Sequence, residues 1–287
     1  MSYPDDLREA VDQHLATIHF STEAATAGLD DSMRYSLLAG GKRIRPVLCL
    51  ATARSLGDEI EPYLGLAASL EMVHTYSLVH DDLPAMDDDD LRRGQPTSHI
   101  KYGEAVAILA GDGLFAEAVR LMASVQSDPA RVLEAVQLLA SATGVEGMVG
   151  GQYVDVTATD LDRDGLRHLH SLKTGRLIRV SVETALAYGG VAVEERAPYQ
   201  QFAAELGILF QIVDDILDVT GTDVELGKPQ GSDERHGKVT YVSLYGLQEA
   251  KSLASQSHEQ ALSALAAVDG ETDYLRRVAD YIYMREQ

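Results

Sequence analysis

Residues 81–90 read Asp-Asp-Leu-Pro-Ala-Met-Asp-Asp-Asp-Asp, and Leu-Arg-Arg-Gly follows directly at 91–94. Six carboxylates within ten positions repel one another strongly unless positive charge lies among them. One interpretation is an exposed acidic loop, because most charge runs are solvated. The other is a magnesium site, because Mg²⁺ prefers hard oxygen ligands and is typically held by one or two carboxylates together with substrate phosphates.

A second acidic cluster lies much later in the chain, within an apolar stretch. Residues 207–220 read Gly-Ile-Leu-Phe-Gln-Ile-Val-Asp-Asp-Ile-Leu-Asp-Val-Thr. On a helix, residues three or four apart share a face, so Gln211, Asp214 and Asp218 point the same way. Carboxylates in apolar sequence are costly to bury unless they are paired or bound to a metal. The second cluster therefore favours the metal site over the exposed loop.

Positive charge is concentrated near a glycine pair, in Gly-Gly-Lys-Arg-Ile-Arg-Pro at 40–46. Glycines allow a backbone to approach a ligand closely, and three cations in four residues would bind a diphosphate well. Ordinary capping of a helix C-terminus is the alternative. Further along, His74 falls on the same helical stripe as Asp81, about 10 Å away.

The apolar spacing predicts an all-α protein. Hydrophobic residues make up 45% of the 287 residues, and alanine and leucine, both strong helix formers, dominate. No alternation typical of strands and no interdomain linker stands out, so we expect one domain over residues 1–287. The predicted helices cover residues 4–19, 60–82, 104–125, 128–146, 246–268 and 271–285. Pro84 should end the helix over 60–82, so that the aspartates after it lie in a loop.

Composition also bounds the partners and the compartment. The net charge of −21 argues against nucleic acid, whose phosphates require a basic surface. Cys49 is the only cysteine, which is consistent with a reducing cytoplasm. The N-terminus lacks the features of a signal peptide, and no uninterrupted apolar stretch approaches the roughly 20 residues of a membrane span. We expect a cytoplasmic protein without a membrane span.

The two acidic clusters, DDxxxxD followed by LRRG and the later FQxxDDxLD, resemble the aspartate-rich motifs of the trans-isoprenyl diphosphate synthases. The bacterial farnesyl/geranylgeranyl diphosphate synthases are the most similar group, and the resemblance extends from Gly40 to the last helix. It includes GGKRxRP at 40–46, GMxxGQxxD at 147–155 and Lys-Thr-Gly at 173–175. The resemblance implies the isoprenoid synthase fold, with mostly antiparallel helices around a deep central cavity and the two clusters facing each other near its mouth.

The resemblance also implies a reaction. Mg²⁺, with three ions when substrate is bound, assists ionisation of dimethylallyl or geranyl diphosphate to an allylic cation, and isopentenyl diphosphate attacks that cation. The implied metal ligands are Asp81, Asp82, Asp87, Asp214 and Asp218. The implied catalytic residues are Asp81, Asp82, Asp87, Lys173, Thr174, Gln211, Asp214 and Asp215. The implied substrate-binding residues are Lys42, Arg45, His74, Arg92, Arg93, Lys228 and Lys238, while Gln152 and Asp155 support the site. A homodimer is expected.

Product length depends, by the same resemblance, on the residues four and five positions before the first aspartate. These are Ser77 and Tyr76, and a tyrosine there should stop growth at C15, which favours farnesyl diphosphate. The alternative is a C20 product, geranylgeranyl diphosphate, if the growing chain passes Tyr76. A class I terpene cyclase shares the metal chemistry but needs no second diphosphate site. A non-catalytic synthase subunit would usually have lost one acidic cluster, and both are present here.

Overall fold

Helices form nearly all the regular structure of this protein in the computed structural model, which describes residues 3–158, 160–221 and 238–285. The helices are α1 (Asp5–Ala16), α2 (Ala27–Leu37), α3 (Ile44–Ser55), α4 (Leu64–Asp81), α5 (Ser98–Tyr102), α6 (Glu104–Ser124), α7 (Pro129–Thr143), α8 (Met148–Thr157), α9 (Arg163–His170), α10 (Arg176–Gly189), α11 (Ala197–Thr220), α12 (Tyr241–Tyr245), α13 (Leu247–Leu265) and α14 (Asp273–Met284). The prediction of an all-α protein is confirmed.

Two strands in the described part of the chain form a small hairpin beside the first acidic cluster. Strand β1 (Leu91–Arg92) pairs antiparallel with β2 (Gln95–Pro96), so that Arg92 lies opposite Gln95. Arg93 and Gly94 make the turn, and both have positive φ. Helix α4 ends at Asp81, three residues before Pro84, and the remaining aspartates lie in the loop that leads into the hairpin. The predicted break of the helix is confirmed.

The helices pack around α3, α4, α10 and α11. Helix α4 packs against α6, α10 packs against α3 and α7, and α11 packs against α13. Leu66, Leu70 and Val73 on α4 are completely buried, so the helix is anchored along its length. One cluster of buried hydrophobic side chains extends from Tyr3 to Ile282, which favours the expected single domain.

One stretch of the described chain has the length and hydropathy of a membrane-spanning helix. Among the described helices, Pro129–Thr157 is long and apolar enough to cross a membrane by length and composition alone. A turn at 144–147 divides it into α7 and α8. Because core helices of folded proteins meet the same criteria, this stretch is weak evidence for a membrane span.

A buried ion pair connects the start of α3 to the middle of α4. Arg43, in a left-handed conformation with φ of 53°, donates from Nη1 to Oε1 of Glu71 at 2.6 Å and from Nε to Oδ1 of Asp12 at 2.9 Å. Its Nη2 also donates to the backbone oxygen of Leu37 at 2.9 Å. The Arg43 and Glu71 side chains are each only 1% exposed. Arg43 therefore connects α1, α2 and α4 to the start of α3, where Arg45 lies.

We predict that Glu71→Gln lowers the free energy of unfolding by about 3 kcal/mol, because it leaves a buried guanidinium with one charged partner instead of two. Urea denaturation measures the loss. Glu117→Gln is the matched control, since Glu117 pairs with Arg120 on the surface and its loss should cost about 0.5 kcal/mol or less. Equal effects of the two substitutions would contradict the structural role of the Arg43–Glu71 pair.

Candidate active site

A cavity of about 410 Å³ brings the two acidic clusters together, and we call it the carboxylate cavity. Helix α4 and the following loop supply one wall, and α11 supplies the other. Its polar lining includes both signs of charge: Asp81, Asp87, Asp89, Asp155, Asp214 and Asp215 with Arg45, Arg92, Arg93, Lys173 and Lys238, together with His74, His170, Thr174, Gln211 and Thr240. The expectation that the two clusters share one cavity agrees with this arrangement.

Asp81, Asp87 and Asp214 are the members of the predicted metal-ligand set that line this cavity. Asp81 is the last residue of α4, and burial raises its pKa to about 6, an effect increased by Asp87 and opposed by Lys173. Asp87 Oδ1 accepts a hydrogen bond from Nζ of Lys238 at 3.1 Å. Asp214 is exposed on the cavity side of α11. These three carboxylates can reach a ligand in the cavity.

Asp82 and Asp218 were predicted as ligands too, but the structure does not bring them to the cavity lining. Asp82 is 3% exposed and accepts from Nε of Arg92 at 2.6 Å. Its Oδ1 also lies 2.5 Å from Nη2 of the same guanidinium, so Asp82 orients Arg92. Asp218 is 4% exposed in the interior face of α11. Asp89, which the sequence analysis did not single out, does line the cavity and lies 3.5 Å from Arg92.

Two lysines neutralise the carboxylates across the cavity. Lys173 Nζ lies 2.6 Å from Oδ2 of Asp155, and Lys238 Nζ lies 3.7 Å from the same oxygen. Burial would raise the pKa of Asp155, but the two ammonium groups outweigh burial and hold it below its ordinary value. Asp87, in the loop after α4, and Asp155, on α8, are therefore joined through Lys238, and the predicted supporting role of Asp155 has a physical basis.

A hydrogen-bonded chain fixes the polar groups at the far side of the cavity. Thr174 donates from Oγ1 to Oε1 of Gln211 at 3.1 Å, and Gln211 donates from Nε2 to Oδ1 of Asp215 at 2.8 Å. The backbone N–H of Tyr241 donates to Oδ2 of Asp215 at 2.7 Å. Asp215 therefore orients Gln211 and ties the end of α11 to α12. The Thr174 hydroxyl oxygen keeps acceptor capacity for a positive charge in the cavity.

A π-helical turn presents Lys173 and Thr174. Residues Ser171–Gly175 form this turn between α9 and α10, and single π turns are frequent at functional sites. A Cβ at Gly151 would lie 2.4 Å from the backbone nitrogen of Lys173, so only glycine lets α8 pack here. The glycines of the 147–155 motif thus serve close helix packing. Gln152, the next residue, faces an adjoining cavity, and its amide has no hydrogen-bond partner among the described residues.

The basic side of the cavity holds Arg45, Arg93 and His74. Arg45 is buried, its Nε has no hydrogen-bond partner in the described residues, and desolvation lowers its pKa to about 10. Burial, with Arg45 and Arg93 nearby, holds the pKa of His74 well below its ordinary value, so the imidazole is neutral. This side of the cavity therefore has donors and positive charge in excess of its own acceptors.

The glycine pair makes room for Arg93 rather than for a ligand. A Cβ at Gly41 would lie 2.7 Å from Cζ of Arg93, and Gly41 has φ of +125°. Nη1 of Arg93 donates to the backbone oxygen of Gly40. The guanidinium is thereby held against the turn with one end in the cavity.

Lys42, a predicted substrate-binding residue, lies away from the cavity. Lys42 is exposed, with Nζ 5.2 Å from the ring centroid of Tyr281, and it does not line the cavity. Lys228 lies outside the described residues. Of the three cations at 42–45, the structure brings only Arg45 to the cavity, because Arg43 is committed to its buried ion pairs.

A second, apolar cavity of about 490 Å³ continues from the first between α4 and α8. Tyr76 and Ser77 line it, as do Met148, Val149 and Tyr153 from the other side. The Tyr76 ring makes edge-to-face contacts with Phe115 and His80, each at a centroid distance of 5.4 Å. The predicted chain-length residues are thus at an apolar wall that begins one turn from Asp81.

The carboxylates fit magnesium but do not form a complete cage. Among the described residues, no three histidine, cysteine, aspartate or glutamate side chains are close enough together to hold a metal ion by themselves. Mg²⁺ keeps several waters and is commonly bound by one or two carboxylates with substrate phosphates. An all-oxygen donor set from Asp81, Asp87 and Asp214 beside unpaired positive charge matches that mode of binding.

The helical fold carries a cavity whose carboxylates and arginines suit phosphorylated anions bound with a metal. Residues 26–278 match the family model described as polyprenyl synthetase. The farnesyl diphosphate synthase of Geobacillus stearothermophilus is 43% identical over 265 residues, which cover 91% of this chain and 89% of that enzyme. The chloroplastic heterodimeric geranylgeranyl pyrophosphate synthase large subunit 1 of Arabidopsis thaliana is 44% identical over 268 residues, covering 90% of this chain and 72% of that protein.

Solved structures agree with these relatives. A geranyltransferase from Helicobacter pylori, complexed with magnesium and isoprenyl diphosphate, has a TM-score of 0.87 at 32% identity, covering 98% of this chain and 97% of that one. An apo FPP/GFPP synthase from Zymomonas mobilis has a TM-score of 0.86 at 36% identity, covering 97% and 96%. This chain therefore belongs to the polyprenyl synthetase family. The predicted resemblance, the isoprenoid synthase fold and the prenyltransferase class are confirmed.

We predict that Gly41→Ala raises the KM for isopentenyl diphosphate about tenfold, because the new Cβ displaces Arg93 and a charged hydrogen bond is worth about 1.5–3 kcal/mol. Steady-state kinetics measure the change. Gly40→Ala is the control, since Gly40 also has positive φ, +81°, but nothing lies within 4 Å of its added Cβ. If both variants lose the same activity, backbone strain rather than displacement of Arg93 is responsible.

Proposed function

We propose that this chain condenses isopentenyl diphosphate with dimethylallyl or geranyl diphosphate and makes farnesyl diphosphate. The observation that carries the proposal is the carboxylate cavity, in which Asp81, Asp87 and Asp214 share one lining with Arg93 and with Arg45, whose Nε has no hydrogen-bond partner among the described residues. One region suits a metal-bound diphosphate and the other suits a diphosphate bound directly by cations. A terpene cyclase needs only the first region, so the second favours the condensation of two diphosphates.

Asp81, Asp87 and Asp214 would hold Mg²⁺, and we propose three ions when substrate is bound. The bound metal would neutralise charge on the allylic diphosphate and so favour its departure. The magnesium complex of the H. pylori relative supports this metal. Asp82 and Asp218 stay predicted ligands, and Asp82 also acts by orienting Arg92.

Lys173, Lys238 and Arg92 are placed to stabilise the departing diphosphate, because all three line the cavity beside the acidic clusters. The allylic C–O bond breaks, and its electron pair leaves with diphosphate. The hydroxyl oxygen of Thr174 and the carbonyl oxygen of Gln211, which are hydrogen-bonded to each other, provide negative dipole ends near the resulting cation. Ordered dipoles of this kind need no reorganisation when the charge forms.

Arg45, Arg93 and neutral His74 are proposed to bind isopentenyl diphosphate. Its double bond supplies the electrons of the new C–C bond, and one proton is then lost to the released diphosphate. No protein general base is needed in this scheme. The neutral state of His74 follows from burial among arginines, so its role is hydrogen bonding rather than charge.

We propose that the enzyme works as a homodimer. Helix α8 exposes apolar side chains, with Tyr153 69% and Val156 57% exposed, and Val145 in the preceding turn is 83% exposed. An apolar row of this kind is typical of an interface. Light scattering should give the mass of two 31.1 kDa chains, and Tyr153→Glu should shift it toward the mass of one chain.

A cytoplasmic location stays a prediction.

We predict that Asp87→Asn lowers kcat by about 10²–10³-fold, because it removes a carboxylate that faces both Lys238 and the cavity. Asp88→Asn is the matched control: Asp88 belongs to the same acidic run, but it is exposed, does not line the cavity and has φ of 54°, which asparagine tolerates. EDTA should abolish the activity of the wild type. Equal losses in both variants would show that only total acidity matters.

Product size tests the proposed reaction and its length control together. Purified protein incubated with Mg²⁺, isopentenyl diphosphate and dimethylallyl diphosphate should yield a C15 alcohol after dephosphorylation. Tyr76→Ala should extend the product to C20 or longer because it opens the apolar cavity, whereas Tyr76→Phe should keep C15. A C20 product from the wild type would support the proposed condensation but would show that Tyr76 does not limit product length. No condensation at all would reject the proposed function.

A further inference from the structure

A separate cavity of about 330 Å³ lies behind the π-helical turn, and we call it the rear cavity. Its walls include Arg167, Arg176, Arg179, His170, Ile208 and Tyr241. Ser171 and Gly175 of the turn face the rear cavity, whereas Lys173 and Thr174 of the same turn face the carboxylate cavity. Among the described residues only His170 lines both, so the two cavities are distinct but separated by a single turn of helix.

The charge of the rear cavity is opposite to that of the whole chain. The protein has a net charge of −21, yet the described residues that line the rear cavity include three arginines and two histidines and no aspartate or glutamate. Glu205, outside the lining, is the carboxylate that interacts with Arg167. Arg179 is paired with Glu183 at 2.8 Å. Arg176 is exposed and has no ion-pair partner in the part of the chain that the structure describes. The rear cavity therefore offers cationic donors to an anion.

The remaining wall is apolar and aromatic. Ile208, Ala204 and Gly207 on α11 contribute aliphatic surface, and the Tyr241 ring adds an aromatic face. A free inorganic anion would leave this wall uncovered, whereas an anion with a hydrocarbon part would cover it and gain about 25 cal/mol for each Å² of apolar surface buried. The lining thus matches an amphipathic anion.

Contacts from the rear cavity reach the catalytic groups directly. The Tyr241 ring stacks on His170 with centroids 5.6 Å apart and an interplanar angle of 19°, while its backbone N–H holds Asp215. A Cβ at Gly207 would lie 3.0 Å from Cα of Gly175, so α11 and the π-helical turn are in close contact. A ligand against Tyr241 or this turn would therefore act on the Thr174–Gln211–Asp215 chain.

We propose that the rear cavity binds an alkyl or prenyl phosphate, with its phosphate on Arg167 and Arg176 and its hydrocarbon against Ile208 and Tyr241, and that the bound ligand slows prenyl transfer by shifting the π-helical turn. The regulatory half of this inference rests on the proposed function, but the binding half does not. Neither arginine belongs to the catalytic or substrate-binding residues assigned above. The two halves can therefore be tested separately.

Calorimetry with decyl phosphate in EDTA tests binding in the absence of catalysis. We expect Arg167→Ala/Arg176→Ala to weaken binding at one site at least tenfold, with any binding in the apolar cavity retained. Arg120→Ala, a change of an exposed arginine on α6, should leave the isotherm unchanged. Arg176→Glu serves as a second variant, because its exposed position allows folding and its reversed charge should also abolish this site. Identical isotherms for wild type and both variants would overturn the proposal.

Inhibition kinetics test the regulatory half on active enzyme. Decyl phosphate should inhibit noncompetitively toward both substrates, and the double variant should raise the inhibition constant at least tenfold while uninhibited kcat and KM stay within about twofold of wild type. Competitive inhibition that the variants do not relieve would place the ligand in the active site and overturn the regulatory role. If the protein catalyses no condensation, the calorimetric result still decides whether the rear cavity binds the probe.

Discussion

Repulsion between carboxylates from two distant segments is the constraint on which this structure depends. Asp81 and Asp87 on one side and Asp214 on the other share a cavity, and burial raises the pKa of Asp81 to about 6. Two lysines, Lys173 and Lys238, offset part of the charge. Because lysine charges can move on long flexible stems, the same groups can pass from a carboxylate to an arriving phosphate.

The other side of the carboxylate cavity has an excess of positive charge, at Arg45 and Arg93. This excess explains how one cavity could hold two anions. Arg45 is buried, with an Nε that no described residue satisfies, and burial together with nearby arginines keeps the pKa of His74 low and the imidazole neutral. Leaving buried donors without acceptors costs free energy in the empty protein, and an anion would recover it on binding. The Arg43–Glu71 pair makes this imbalance tolerable, since it anchors the chain next to Arg45 without using Arg45 itself.

Long helices hold the carboxylates of the cavity in place, whereas a short irregular turn positions Lys173 and Thr174. Asp81 ends α4, and Asp214 lies within α11, so both carboxylates are fixed by long buried helices. Lys173 and Thr174 depend instead on a π-helical turn that Gly151 and Gly207 allow to pack closely. That turn has one face in each of two cavities, and the proposed role of the rear cavity depends on this arrangement.

The sequence by itself determined the all-α class, most helix positions and the presence of two acidic clusters, because helical periodicity and charge density are local properties of the chain. Only the tertiary structure decided which charged residues reach the cavity. Asp82 turns to Arg92, Arg43 is buried on Glu71, and Lys42 lies on the surface over Tyr281. Neighbouring residues of one motif thus have different roles, since the direction of each side chain depends on partners distant in sequence, such as Glu71, which is 28 positions from Arg43.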